Sequence, residues 1–140
     1  MITYSNISSG IDWAGAVDVL YRAPLGQRRN PEQLRAAFLA SYAIVFAFDG
    51  PALIGMARAI SDGVYQAAIY DMVVLPEYQG KGIGREIMKR LCEQLPVENI
   101  ILYAVPGREE FYAKCGFRKM LTAMAILNSN MSRPEAGYLE

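Results

Sequence analysis

The order of apolar patterns along this chain predicts an α/β fold, a mixed and mostly antiparallel sheet of six to seven strands flanked by about four helices. Three observations carry that prediction. Fully apolar runs at residues 43–48 and 100–105 have the length and composition of buried strands. Apolar residues elsewhere recur at helical spacing behind recognisable start signals. After residue 74 the chain passes from strand to helix to strand, a crossover that makes its two strands parallel neighbours.

Residues 2–5 read as a short first strand. Asp12 then offers an N-cap to a helix carrying Trp13, Val17, Leu20 and Tyr21 on one face and ending near Ala23 and Pro24. Asn30-Pro31-Glu32-Gln33 is a second start signal, because Asn30 can cap, Pro31 suits the first helical position and Gln33 completes a capping-box pattern. Leu34, Ala37 and Phe38 form that helix's apolar face. The run at residues 43–48 stops at Asp49-Gly50-Pro51, residues 52–60 return as a hairpin partner, and Ser61-Asp62-Gly63 turns into a third arm over residues 64–74.

A helix over residues 82–95 places Ile83, Ile87, Met88, Leu91, Cys92 and Leu95 on one side and Arg85, Glu86, Lys89, Arg90 and Glu93 on the other, and Pro96 ends it. Residues 100–105 make a further strand, broken by Pro106-Gly107. Residues 108–115 make a short helix closed by Gly116, which favours left-handed geometry. Residues 119–127 are expected as the last strand, and residues 128–140 as a loosely held tail.

With 140 residues, 53% of them apolar, the chain is expected to be a single domain over residues 1–140 with a sizeable core. No segment approaches the roughly 18 uninterrupted apolar residues of a membrane span. The first residues lack a basic and apolar leader, so a cytoplasmic location is expected. Fourteen basic and fourteen acidic residues cancel, which removes any general attraction to nucleic acid or to an acidic membrane. Cys92 and Cys115 lie in apolar-periodic segments and read as buried thiols rather than a disulfide. The absence of histidine removes the commonest transition-metal ligand and the imidazole base together, so no metal site is expected.

The chemistry concentrates in Gln79-Gly80-Lys81-Gly82-Ile83-Gly84-Arg85, where a strand runs through Pro76 into alternating glycines and then a helix. Backbone N–H groups can turn toward an anion there, and the helix adds its positive end, so the turn is a cradle in which a diphosphate would fit. The plainer reading is a tight turn. A Walker A loop needs different glycine spacing and a hydroxyl for magnesium. A dinucleotide fingerprint needs a third glycine where Arg85 stands and an acidic residue about 20 positions on. Neither pattern is met.

The segment from residue 79 to residue 84, preceded by Val-Leu-Pro-Glu-Tyr and followed by an amphipathic helix, closely resembles the acyl-CoA pyrophosphate loop of the GNAT superfamily of N-acetyltransferases. Phe111-Tyr112-Ala113-Lys114-Cys115-Gly116-Phe117 resembles that superfamily's downstream helix, whose tyrosine lies near the thioester sulfur. The resemblance spans residues 2–127 and implies a parallel pair of strands splayed at the coenzyme A site. One departure is the short turn Val105-Pro106-Gly107-Arg108, which lacks the asparagine that many members use to contact the cofactor. The variant running from Ala104 through Tyr112 resembles a branch of small members that includes arylalkylamine acetylating enzymes.

The resemblance implies acetyl-CoA as cosubstrate. The backbone of Met72, Val73 and Val74 would flank the pantetheine arm and offer an N–H to the acetyl oxygen. Gln79, Gly80, Lys81, Gly82, Ile83, Gly84 and Arg85 would hold the diphosphate, with Phe111 and Tyr112 beside the cofactor. Tyr112 is the implied general acid, since a phenol with a pKa of about 10 can protonate a departing thiolate. The plainer reading is a tyrosine packed between Phe111 and the Gly116-Phe117 turn with its hydroxyl satisfied. Asp71, a carboxylate in an apolar strand, reads either as the catalytic residue that binds the substrate ammonium or draws off its proton, directly or through water, with a pKa raised by burial to suit a base, or as a structural partner of an arginine such as Arg58. Trp13, Tyr21, Tyr42 and Tyr65 are core residues or the lining of an aromatic acceptor pocket.

The function implied is transfer of an acetyl group from acetyl-CoA to a primary amine of a small molecule, by direct attack in a ternary complex. Two alternatives stand beside it: acetylation of a protein N-terminus or lysine, and a CoA-binding module without turnover. Neither nucleic acid nor membrane is an expected partner. Family habit and the apolar final segment point to a homodimer.

Overall fold

A computed structural model describes residues 1–23 and 28–140. The first compact unit, Met1–Leu102, contains a five-stranded sheet in the order β1-β2-β3-β4-β5. Its elements are β1 (Ile2–Ser5), α1 (Trp13–Arg22), α2 (Pro31–Leu39), β2 (Ala43–Asp49), β3 (Ala52–Ser61), β4 (Gln66–Val74), α3 (Ile83–Glu93) and β5 (Asn99–Ile101). Strands β1 to β4 pair antiparallel in chain order, while β4 and β5 are parallel, as the helical crossover between them requires.

Local chemistry accounts for the helix starts. The Asp12 carboxylate accepts from the Gly15 amide at 3.2 Å, and the Asn30 side chain accepts from the amides of Glu32 and Gln33 at 2.8 and 3.1 Å. Helix α1 is capped at its end by Ala23. Pro24, the other expected end residue, lies outside the described residues. Gly50 with φ 57° and Gly63 with φ 74° serve the two hairpin turns.

The sheet is covered on both faces. Phe46 and Met56 are register partners, and Phe46 packs with Phe38 of α2 and Trp13 of α1 at ring separations of 5.4 and 6.0 Å. Strand alternation turns Gly55 the opposite way. A Cβ on Gly55 would lie 3.0 Å from Ile87 Cδ1 of α3, so α3 covers the other face. Phe38, Phe46, Ile54, Met56, Ile87 and Leu91 are fully buried and form the centre of the core.

The second unit, Tyr103–Glu140, holds α4 (Glu109–Lys114) and two short 3₁₀ turns at Asn130–Ser132 and Pro134–Ala136. Gly116, at φ 96°, follows α4 in the left-handed conformation expected of it. The expected looseness of the tail is corrected by its contacts. Tyr138 packs edge-on against Tyr103 with centroids 6.0 Å apart, and Gly137 lies so close to Pro106 that a Cβ would come within 3.1 Å of its ring.

Two strand expectations fail. The strand predicted over residues 100–105 is limited to Asn99–Ile101, and residues 119–127 form no strand, leaving five strands rather than six or seven. Residues 118–128 make no backbone hydrogen bond with another described residue, and Leu121, Met124 and Ile126 are 90–97% exposed. A strand requires a neighbour's backbone as well as an apolar sequence, and this run has no strand beside it among the described residues.

Candidate active site

The end of β4 leads through a 3₁₀ turn, Pro76–Tyr78, into the glycine segment. Gly80 and Gly82 adopt φ 77° and 81°, and a Cβ on either would meet nothing within 4 Å. Packing therefore does not demand glycine at these positions, whereas the left-handed backbone does. Gly82 is the N-cap of α3 and offers no side chain, so no side-chain cap covers the first amides of the helix. Lys81 is exposed at this end and Arg85 stands in the first turn of α3. The donor set fits a diphosphate: oriented backbone amides, a helix start and two cationic side chains.

Four contacts brace the turn. Gln79 donates from Nε2 to the Val74 carbonyl at 3.0 Å, joining the end of the turn to the end of the strand. The Tyr78 hydroxyl donates to Asp49 Oδ2 at 2.6 Å, and Lys81 Nζ lies 5.5 Å from the Tyr78 ring centre. Arg22 at the end of α1 pairs with Glu77 at 2.6 Å. Gln79, expected to touch the cofactor, thus has its side chain committed to supporting the turn.

Strand β4 is unpaired with β5 over its last six residues. Pairing with β5 covers only Gln66, Ala67 and Ala68, so from Ile69 to Val74 the β4 edge has no β5 partner. Met72, Val73 and Val74 lie on the stretch that has no β5 partner. Opposite β3 the register slips by one: Met56 pairs with Val73 and Arg58 with Tyr70, so Ala57 faces both Asp71 and Met72. That is a bulge with its extra residue on β4.

Asp71 sits in the bulge with φ 56°, the one non-glycine residue in left-handed geometry among the described residues. Its side chain is 5% exposed and accepts from Arg29 Nη1 and Arg58 Nε, each at 2.7 Å. Burial pushes its pKa up, but hydrogen bonds from Arg29 and Arg58 and the charges of both guanidiniums prevail and hold it below the ordinary 3.8. This corrects the expected upward shift. Arg58 is the partner the sequence pointed to. Arg29, separated from Asp71 in the chain by α2, β2 and β3, carried no sequence signal.

Phe111 and Tyr112 belong to the second unit. Tyr112 is half-buried, its ring edge-on to Phe111 at 5.0 Å and to Phe117 at 6.1 Å. Burial raises its pKa above 10.0, with Cys115 adding to the shift and Arg108 opposing it. Its hydroxyl has no hydrogen-bond partner among the described residues. The turn before α4 is closed locally: Arg108 N–H donates to the Val105 carbonyl at 2.9 Å, and the Glu109 carboxylate accepts from the Gly107 amide.

The four aromatics considered for an acceptor pocket are dispersed. Trp13 packs into the core, Tyr21 lies beneath the Arg28 guanidinium at 4.7 Å, Tyr42 contacts Gly63 at the β3–β4 turn, and Tyr65 is 72% exposed. Among the described residues no cluster of three His, Cys, Asp or Glu side chains forms a metal site, and no helix is long and apolar enough to cross a membrane. Cys92 and Cys115 are half-buried thiols.

A mixed α/β sheet with one parallel pair, and a left-handed glycine turn leading into α3, define the class of protein. The sequence model of the Acetyltransferase (GNAT) family matches residues 15–117, and the chain belongs to that family. It is 38% identical over 118 residues to serotonin N-acetyltransferase 2, chloroplastic, of Oryza sativa subsp. japonica, a match covering 79% of this chain and 58% of the relative. The chain therefore spans less than two thirds of that relative. Among solved structures, a GNAT family acetyltransferase, SP0256 of Streptococcus pneumoniae TIGR4, superposes with TM-score 0.77 at 26% identity, covering 91% of this chain and 98% of the other. Protein SA2161 of meticillin-resistant Staphylococcus aureus shares the fold with TM-score 0.78 at 24% identity, covering 91% and 99%.

Proposed function

We propose that this protein is an acetyl-CoA-dependent N-acetyltransferase that acetylates a primary amine of a small molecule by direct attack in a ternary complex. The observation that carries the reading is the pair of left-handed glycines, Gly80 and Gly82, ahead of the start of α3. When bound, acetyl-CoA supplies an activated acetyl thioester. The amides of residues 80–85 hold its diphosphate, with Lys81 and Arg85 adding charge. The main chain of residues 72–74, beyond the reach of β5, flanks the pantetheine arm and donates an N–H to the carbonyl oxygen as negative charge develops there. Tyr112 gives its proton to the departing sulfur as the nitrogen–carbon bond forms and the carbon–sulfur bond breaks, and the amine's proton leaves to water.

Three features support, in turn, the role of Tyr112, the acceptor class and the oligomeric state. The Tyr112 phenol stays protonated at neutral pH, and its hydroxyl has no partner among the described residues. The rice relative's name supports an arylalkylamine acceptor. The exposed, uncharged run at residues 121–126 supports a homodimer, for which sedimentation at twice the monomer mass is the expected result.

The test is release of free thiol from acetyl-CoA with a panel of amines headed by serotonin, together with a peptide bearing a free N-terminus. Turnover with the small amines is expected; turnover with the peptide alone would move the acceptor class to proteins. Tyr112→Phe is expected to lower kcat by roughly 10²-fold with CoA affinity nearly unchanged. Normal turnover by that variant removes Tyr112 as the acid. A second reading, a CoA-binding module without turnover, is favoured by one observation: Asp71 is committed to two arginines. Tight CoA binding with no thiol release from any acceptor would establish it.

A further inference from the structure

The Asp71 carboxylate does more than pair with an arginine. Arg29 directly precedes Asn30, the N-cap of α2, and Ser41 directly follows Ala40, its C-cap. Arg29 Nη1 reaches Asp71 Oδ1 at 2.7 Å. From the other end, the Ser41 hydroxyl donates to the Ala37 carbonyl at 2.7 Å and accepts from Arg58 Nη1 at 3.5 Å, while Arg58 Nε holds Asp71 Oδ2 at 2.7 Å. Arg58 also lies over the Tyr70 ring, 5.3 Å from its centre. Both ends of α2 thus converge on a single carboxylate, and that carboxylate stands in the β4 bulge.

A β4 bend built on aspartate is under backbone strain that glycine would avoid, and such strain persists only where the surroundings hold it. Here the restraint is two charge-assisted hydrogen bonds to a side chain that is 5% exposed. The residues that follow the bend, Met72 to Val74, lie in the stretch of β4 with no β5 partner. With both oxygens engaged and the carboxyl flanked by two positive charges, Asp71 is a poor proton acceptor and a strong anchor.

We propose that Asp71 is a positioning residue and not the base: clamped by Arg29 and Arg58, it holds the left-handed bend of β4 and ties both ends of α2 to it. The main chain of residues 72–74 and the α2 side of the site are thereby set in one geometry. This rests on the acetyl-transfer reading above. It assigns Arg29 and Arg58 to the same clamp, and it leaves the incoming amine to lose its proton to water.

The test uses the full chain with Arg29→Gln, Asp71→Asn, Arg58→Lys and Arg58→Leu, measured in two ways. The first is native-state amide exchange without ligand. The Arg29 side chain is 37% exposed, so Arg29→Gln is expected to fold, and exchange at residues 72–74 should speed up about tenfold or more. Arg29 belongs to the approach to α2 and meets β4 at the Asp71 carboxylate, so a change at residues 72–74 reports on the clamp.

The second is steady-state thiol release from acetyl-CoA with serotonin as the probe amine, with CoA affinity measured by calorimetry. Asp71→Asn and Arg58→Leu are expected to lower kcat by roughly 10²-fold while CoA affinity changes by less than about threefold, and Arg58→Lys to recover part of the loss. The ascending limb of the pH–rate profile should keep its position in Asp71→Asn. Loss of that limb would make Asp71 the base and overturn the proposal. So would unchanged exchange at residues 72–74 in Arg29→Gln, or a kcat within about threefold of the parent in every variant. A parent protein that binds no CoA would instead remove the acetyl-transfer reading, and the exchange measurement would still decide whether the clamp holds the bend.

Discussion

Two of the places where the first unit bends its backbone into left-handed geometry do it by opposite means. At the turn into α3, Gly80 and Gly82 adopt φ 77° and 81° with open space around them, so the conformation carries no side-chain penalty and needs no partner. In β4, Asp71 adopts φ 56° while buried, and two arginines hold it there. The first bend is written into the residues that make it. The second depends on groups brought from α2's flank and from β3. A bend that must present its own amides is served by glycine, whereas a bend that must also join separate elements is served by a charged side chain.

The largest way to break this comparison is Asp71→Ala. It removes the carboxylate to which both guanidiniums donate and keeps a Cβ in left-handed geometry, so urea or thermal unfolding should show a loss of about 3–5 kcal/mol. Asp71→Asn should lose less, because asparagine tolerates the same backbone. Acid sharpens the point. The carboxyl pKa is lower in the folded protein than its ordinary 3.8, so its stabilising contribution is complete above that value and is lost as pH falls through the folded pKa. Stability measured by urea unfolding in increasingly acidic buffer should therefore fall less steeply in Asp71→Asn than in the parent.

The glycine turn should respond differently. In Gly82→Ala the added Cβ meets no atom within 4 Å, so its cost is the backbone penalty alone, about 1–2 kcal/mol, with CoA affinity by calorimetry reduced about tenfold or more as the cradle shifts. The smallest expected effect is at Lys81, whose exposed ammonium is screened by salt. Lys81→Ala should weaken CoA binding by only a few fold, roughly 1 kcal/mol, and the difference should shrink at high ionic strength.

Features that depend on near neighbours in the chain are legible in the sequence alone. Asp12 and Asn30 cap the helices expected of them, the turns at Gly50 and Gly63 divide the meander, and Gly116 ends α4. The glycine turn ahead of α3 belongs to the same group, because its geometry is set by the conformational freedom of Gly80 and Gly82. The features that fail are those needing a distant partner. Residues 119–127 have the composition of a strand but no adjacent ladder, and β5 ends at Ile101 although the apolar run continues to residue 105.

The sequence by itself determined the glycine turn ahead of α3, the helix caps and the order of elements through β5, since each depends on backbone preferences acting over a few residues. Only the tertiary structure decided what Asp71 is. Its pKa direction, its burial and its two arginine partners follow from folding α2 and β3 against β4, and no local pattern encodes a contact between residues 29 and 71. The physical reason is that the energy of a buried charge is set by the groups that surround it after folding, not by those that adjoin it along the chain.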